Sequence, residues 1–478
     1  MFSKPSGFPL LPTEVIDMIR VIISCADLYS LVLVNRSHNM ALTPHLYADI
    51  DLLRYPSAMK CIMALDHAPE GNIFGRNLSI LVQSFSLRED TSYPVDASFK
   101  LLASTLVLDV LRMVNLKHFS CSLALPCSTS LLAALLSGAV PKLQSLQLTV
   151  SDIEVPPGYD VADLSSRVPR LRSVKLDIRD RIPTRMIALI RELLTSRAGD
   201  LRTLSLSCGD EHHGPPMTYL PTAAVFSALE ELTITGRALA HPSLQRAPIK
   251  VLTARESDSA PYSPLMENDL HLGLGAFLTL RRLSCPYYML PTFFPEEAHR
   301  RRPIDTVGLN YVPTSSNSNE GGCFGIPPFH IPWAMLHYLR FSKVPIRRLY
   351  LRAMHLSFAL GFPEPQDIAA LVTVECLVIV TRDDPWLDLV EFLHALGSKV
   401  IAQMPRLHTF VLSDEPASIQ ARDSPFEHAG DLDLQRRALA QYEACSSTLK
   451  TVAFTAQLHW ENTADGWLQC PGKPSIRV

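Results

Sequence analysis

The chain has 478 residues, a formal net charge of -3 and a pI near 6.6. Hydrophobic residues make up 47% and charged residues 19%, enough apolar side chain for a large core, which excludes wholesale disorder. The charge balance lacks the concentrated basic surface that nucleic acid requires, and the length exceeds one ordinary core unless the chain is built from repeats that contact only their neighbours.

The segment from Val15 to Val34 is apolar-rich, but Glu14, Asp17, Arg20 and Asp27 interrupt it. It fits neither a signal peptide nor a membrane span. The ten cysteines contain no CxxC, and Cys121 and Cys127, the nearest pair, have no zinc-ribbon spacing. Free, mostly buried thiols in a cytoplasmic or nuclear protein are the expectation, with no membrane partner.

Residues 8–50 read as short helices. Thr13 is placed to cap a helix starting at Glu14, and Val15, Ile16, Ile19 and Ile23 recur at helical spacing. Asp27 is placed to cap a second helix carrying Leu28, Leu31, Val32 and Val34, and Pro44 is expected to end whatever follows.

Further on, one frame recurs: an apolar residue, a polar residue and one further position, then two apolar residues flanking one position. Pro141-Lys-Leu143-Gln-Ser-Leu146-Gln-Leu148 is echoed by Pro169-Arg-Leu171-Arg-Ser-Val174-Lys-Leu176. Leu201-Arg-Thr-Leu204-Ser-Leu206, Leu229-Glu-Glu-Leu232-Thr-Ile234, Ile346-Arg-Arg-Leu349-Tyr-Leu351, Val374-Glu-Cys-Leu377-Val-Ile379, Leu407-His-Thr-Phe410-Val-Leu412 and Leu449-Lys-Thr-Val452-Ala-Phe454 continue it. Each frame predicts a short strand with alternate residues inward, and such strands must pair in a parallel ladder. Helices are predicted between them, over Ile182–Leu194, Leu387–Gln403 and Leu432–Cys445. The predicted fold is α/β, an irregular solenoid with a parallel sheet over residues 51–478. Ser257–Asn268, Pro313–Pro328 and Ser413–Gly430 read as loops.

The residues also carry resemblances. Leu11-Pro12-x-Glu14-x-Ile16-x-x-Ile19, followed by Asp27-Leu28-x-x-Leu31-x-x-Val34-x-Arg36, is similar to an F-box. The later frames resemble a degenerate leucine-rich-repeat fold, and Trp460-Glu-Asn-Thr-Ala-Asp-Gly-Trp467 resembles the capping segment of fungal F-box-like proteins. The resemblance implies a substrate-recognition adaptor of an SCF-type cullin–RING ubiquitin ligase. Leu11, Pro12, Glu14, Val15, Ile16, Ile19, Leu28 and Leu31 would then contact the linker subunit, and through it a cullin. The alternative is a ligase-independent scaffold whose N-terminal helices only cap the solenoid.

No catalytic or cofactor motif stands out. His212-His213 point apart on an extended chain, Gly273-Leu-Gly275 lacks a third glycine, and Asp383-Asp384 reads as a helix start. The expectation is therefore a non-enzymatic protein without cofactor or metal. On the outward sheet face, Arg348, Tyr350 and Arg352 alternate along one strand and supply the residue types favoured at interaction hot spots. They are the candidate target-binding residues.

Overall fold

The computed structural model describes residues 24–34, 36–52, 55–66, 78–88, 105–125, 128–150, 169–178, 184–208, 216–255, 272–273, 275–310, 333–353, 369–381, 389–414, 431–455 and 458–472. Contacts divide the chain into two units, Met1–Leu229 and Glu230–Val478. The fold is α/β, with mostly parallel strands in both units.

The first unit opens with α1 (Cys25–Val32) and α2 (Arg36–Ala48). The expected cap at Asp27 is one turn off. Ser24 caps α1, accepting from the Asp27 backbone N–H at 3.2 Å and donating to the Asp27 carboxylate at 2.7 Å. Asp27 thus works from inside the first turn, where its charge faces the positive end of the helix dipole. Pro44, expected to end a helix, lies inside α2. The helix forgoes the one bond that proline cannot donate, and burial of Leu42, Thr43 and Ala48 around it offsets that cost. Leu28, Val32 and Leu42 form a small apolar core with Leu31, Ala41 and Leu46 at its margin. The helix expected from Glu14, with its Thr13 cap, lies outside the described residues.

Six strands follow in chain order: β1 (Asp49–Leu52), β2 (Ser84–Leu87), β3 (His118–Leu125), β4 (Ser145–Val150), β5 (Ser173–Ile178) and β6 (Thr203–Cys208). Each pairs parallel with the next. Helices α3 (Tyr55–Asp66), α4 (Ser128–Leu136) and α5 (Thr184–Arg197) occupy connections between them. Parallel neighbours require such crossovers. On α5 the buried stripe is Met186, Leu189, Ile190, Leu193 and Leu194. Ile187 beside that stripe is half-buried.

The second unit repeats the arrangement with β7 (Glu231–Thr235), β8 (Val251–Arg255), β9 (Arg282–Pro286), β10 (Thr306–Asn310), β11 (Arg348–Ala353), β12 (Cys376–Thr381), β13 (Thr409–Asp414) and β14 (Thr451–Ala453). These are parallel and sequential. Its longer helices are α6 (Leu389–Lys399) and α7 (Leu432–Cys445), the latter capped by the Asp431 carboxylate, which accepts from the N–H groups of Asp433 and Leu434. The unit ends in a hairpin, β15 (Leu458–Thr463) and β16 (Gly466–Pro471), and β15 runs antiparallel to β14. Gly466, with φ +103°, makes the turn that a side chain would strain.

The inward residues of each frame are almost inaccessible. Leu146, Leu206 and Leu412 are 0% exposed, Leu176 is 1% and Leu351 is 2%. A repeated backbone device sets the entry to most strands, in which one carbonyl accepts from two successive N–H groups of the next strand. Lys117 serves Gln144 and Ser145, Arg172 serves Arg202 and Thr203, and Arg347 serves Glu375 and Cys376. In the second unit a threonine just before the frame adds a side-chain tie. Thr279, Thr373 and Thr448 donate to the carbonyls of Ile249, Ile346 and Leu407, each at 2.9 Å. Among the described residues no helix is long and apolar enough to cross a membrane.

Candidate functional site

Strand β11 places its side chains by simple alternation. Leu349 and Leu351 go inward, leaving Arg348, Tyr350 and Arg352 on the opposite face. Arg348 and Tyr350 are half-buried and Arg352 is exposed. In register, Arg348 lies between Thr306 and Cys376, and Tyr350 lies between Gly308 and Val378. The sequence-predicted trio is therefore brought together on one face of the second unit.

Two features around it were not anticipated. The first is an apolar floor. Cys376, Val378, Val411 and Ala453 are buried on the outward face, with Tyr350 and Val380 packed against them. Polar outward residues dominate the earlier frames, yet Cys376-Leu-Val-Ile-Val380 and Phe410-Val-Leu412 are unbroken apolar runs, the pattern of strands covered on both faces. The second is Gly308, which removes a side chain from the outward row beside Tyr350. A Cβ there would meet Ser284 Oγ at 3.3 Å, so the position is tight toward β9.

Arginines stand on β11 and on the strands that precede it. Arg282 follows the same outward row as Arg348 two strands away, through the register of Thr306 with both. Exposed Arg255 on β8 adds a further guanidinium. Burial raises the Tyr350 phenol above its ordinary pKa, with the Cys376 thiol adding to it, while Arg348 and Arg282 pull it back. Burial pushes the Cys376 thiol up to about 11, against an opposing pull from Arg348. The thiol is thus protonated and unreactive at neutral pH.

Tyr350 Oη is buried and has no hydrogen-bond partner among the described residues. An unsatisfied buried hydroxyl costs about 1–3 kcal/mol, so a ligand that displaced its cover and brought an acceptor to it would gain more than an ordinary surface contact. The chemistry assembled here is a set of guanidinium donors, one unfilled phenol donor and an apolar floor. It suits a segment that carries carboxylate or carbonyl acceptors beside aliphatic side chains.

At the N-terminus, Leu28 is buried and Leu31 half-buried, both turned toward the packing of α1 on α2. The exposed apolar side chains here are instead Tyr29, Leu33, Val34 and Met40, at 53–64% exposure. Periodicity found the apolar stripe of α1 but could not separate its inner from its outer half. Leu11, Pro12, Glu14, Val15, Ile16 and Ile19 lie outside the described residues, as do His212-His213 and Asp383-Asp384.

No protein-family model matches the chain, and no curated protein matches it either.

Proposed function

We propose that the protein works by binding rather than by catalysis, as a substrate-recognition adaptor of an SCF-type ubiquitin ligase. In this reading the segment around Leu11–Ile19 and the exposed side of α1 engage the linker subunit. The outward face at β11 engages a target protein, and the frames behave as an irregular leucine-rich-repeat-like solenoid that holds that face rigid.

The observation that carries target recognition is Tyr350. Its hydroxyl, buried and without a hydrogen-bond partner among the described residues, sits beside arginines and an apolar floor, a costly arrangement for a strand that serves only the fold. Support for docking comes from the F-box-like residues together with exposed Tyr29, Leu33, Val34 and Met40. The competing reading, a ligase-independent scaffold, draws on the buried Leu28–Val32–Leu42 core, since helices that pack on each other can serve as a cap alone.

The test is a double variant, Arg348→Ala with Tyr350→Ala, expressed as the full chain. It should lose a captured target while retaining the native circular dichroism spectrum and the linker subunit. Undiminished target capture would remove this face from the account.

A further inference from the structure

We propose that the C-terminal hairpin binds a zinc ion through His459, Glu461 and Cys470. This site is independent of the adaptor function. His459 and Glu461 are two residues apart on β15, so they share a face. Cys470 on β16 lies directly opposite His459 in the antiparallel register. One nitrogen, one carboxylate oxygen and the thiol sulfur all lie within 4.8 Å of one another.

The histidine is set up as a ligand. Its Nδ1 lies 2.8 Å from the carbonyl of Gly472, and its Nε2 lies 3.3 Å from Glu461 Oε1. Both neighbours accept hydrogen bonds, and a neutral imidazole has only one N–H to give. With Nδ1–H committed to the shorter contact, the Nε2 lone pair faces a carboxylate oxygen. Two converging acceptors require something positive between them, either a second proton or a metal ion. A backbone carbonyl on the remote nitrogen is the usual outer partner of a metal-bound histidine, fixing tautomer and ring orientation. His459 is only 9% exposed, which holds the ring in that pose.

The dimensions favour zinc. Zn–N of about 2.0–2.1 Å and Zn–O of about 2.0–2.2 Å at a tetrahedral angle put nitrogen and oxygen roughly 3.4 Å apart. The observed 3.3 Å needs no adjustment. The Cys470 sulfur, now weakly directed to the Leu468 carbonyl at 3.8 Å, already lies within 4.8 Å of the other two ligand atoms. A mixed nitrogen, sulfur and oxygen set selects zinc over magnesium or calcium, which take oxygen ligands. Binding releases the thiol proton to solvent and leaves the fourth position to water. The ion would tie β15 to β16 and so fasten the strand pair that closes the sheet after β14.

Cobalt titration of the full-length, reduced and chelator-treated protein tests this. One equivalent of Co2+ should give the absorption of a four-coordinate site with a thiolate-to-cobalt charge-transfer band, displaced by stoichiometric Zn2+. Cys470→Ser should lose the charge-transfer band, and Glu461→Gln should weaken cobalt binding by about tenfold or more. Zinc should raise the melting temperature of the wild type and not of Cys470→Ser. The same charge-transfer band in Cys470→Ser would overturn the proposal, because another of the cysteines would then be the ligand. So would a wild-type protein without a four-coordinate spectrum, or a His459 ring whose nitrogen NMR signals show an imidazolium unchanged by zinc, because the carboxylate would then be facing a proton.

Discussion

At Tyr350 the energetic cost and the proposed use coincide. Tyr350→Phe removes a buried hydroxyl that has no hydrogen-bond partner among the described residues, so folding stability should stay level or rise by up to about 1 kcal/mol, while target affinity falls. Urea unfolding and target binding, measured on the same preparation, check both halves. A stability loss above 1 kcal/mol would mean that the hydroxyl has a partner within the fold. A second residue-scale expectation concerns His241, which is 6% exposed and bonded through Nδ1 to Ser243 Oγ at 2.6 Å. Burial lowers its pKa from 6.5, so the unfolded chain binds more protons than the folded one just below that value. Stability should therefore decline as pH falls through 6.5, and level off for this group once the folded-state pKa is passed. His241→Gln should flatten that part of the pH profile in thermal unfolding.

At the scale of elements, the sequence was legible where three strong apolar residues stood in frame, as in Leu201-Leu204-Leu206, which forms β6. It was less legible where a small residue took one of the places. Leu116-Phe119-Cys121 leading into β3 and Ile249-Leu252-Ala254 leading into β8 are buried in the same way. Neighbouring strands supply the context that their own side chains do not. The hairpin of β15 and β16 was missed for another reason. Its Asp465-Gly466 pair is a hairpin signal, but Trp460 and Trp467 on either side carry the resemblance to a capping segment. Asp27 and Pro44 show local rules overridden, one by a competing cap at Ser24 and the other by burial on both sides of the proline.

Two mutations test the packing of these elements. Leu206→Ala should cost about 2–5 kcal/mol in urea unfolding, since it empties a fully buried position with parallel strands on its frame. Gly397→Ala on α6 adds a residue with better helix propensity, worth about 1 kcal/mol, yet should still destabilise. Its Cβ would meet the Tyr442 ring at 2.9 Å, and that ring is 0% exposed with its hydroxyl bonded to the Leu393 carbonyl. A gain in melting temperature for Gly397→Ala would show that α6 and α7 yield more readily than this packing allows.

At the scale of the whole molecule, the candidate site was half legible. Alternation named Arg348, Tyr350 and Arg352, but the apolar floor under them comes from three further strands, β12, β13 and β14, whose outward residues meet only after folding. The account separates two duties, docking at the N-terminus and target capture at β11. Deleting residues 1–50 would test docking poorly, because it would also remove α1, α2 and the start of β1. Point substitutions ahead of α1 avoid that. The most direct measurement is quantitative affinity purification with mass spectrometry on three full-length forms: wild type, Leu11→Asp with Ile16→Asp, and Arg348→Ala with Tyr350→Ala. The account predicts that wild type recovers the ligase linker subunit, a cullin and a target, that the first variant loses the linker and cullin but keeps the target, and that the second does the reverse. Equal linker recovery from wild type and the Leu11→Asp/Ile16→Asp form, or no linker with wild type, would contradict it.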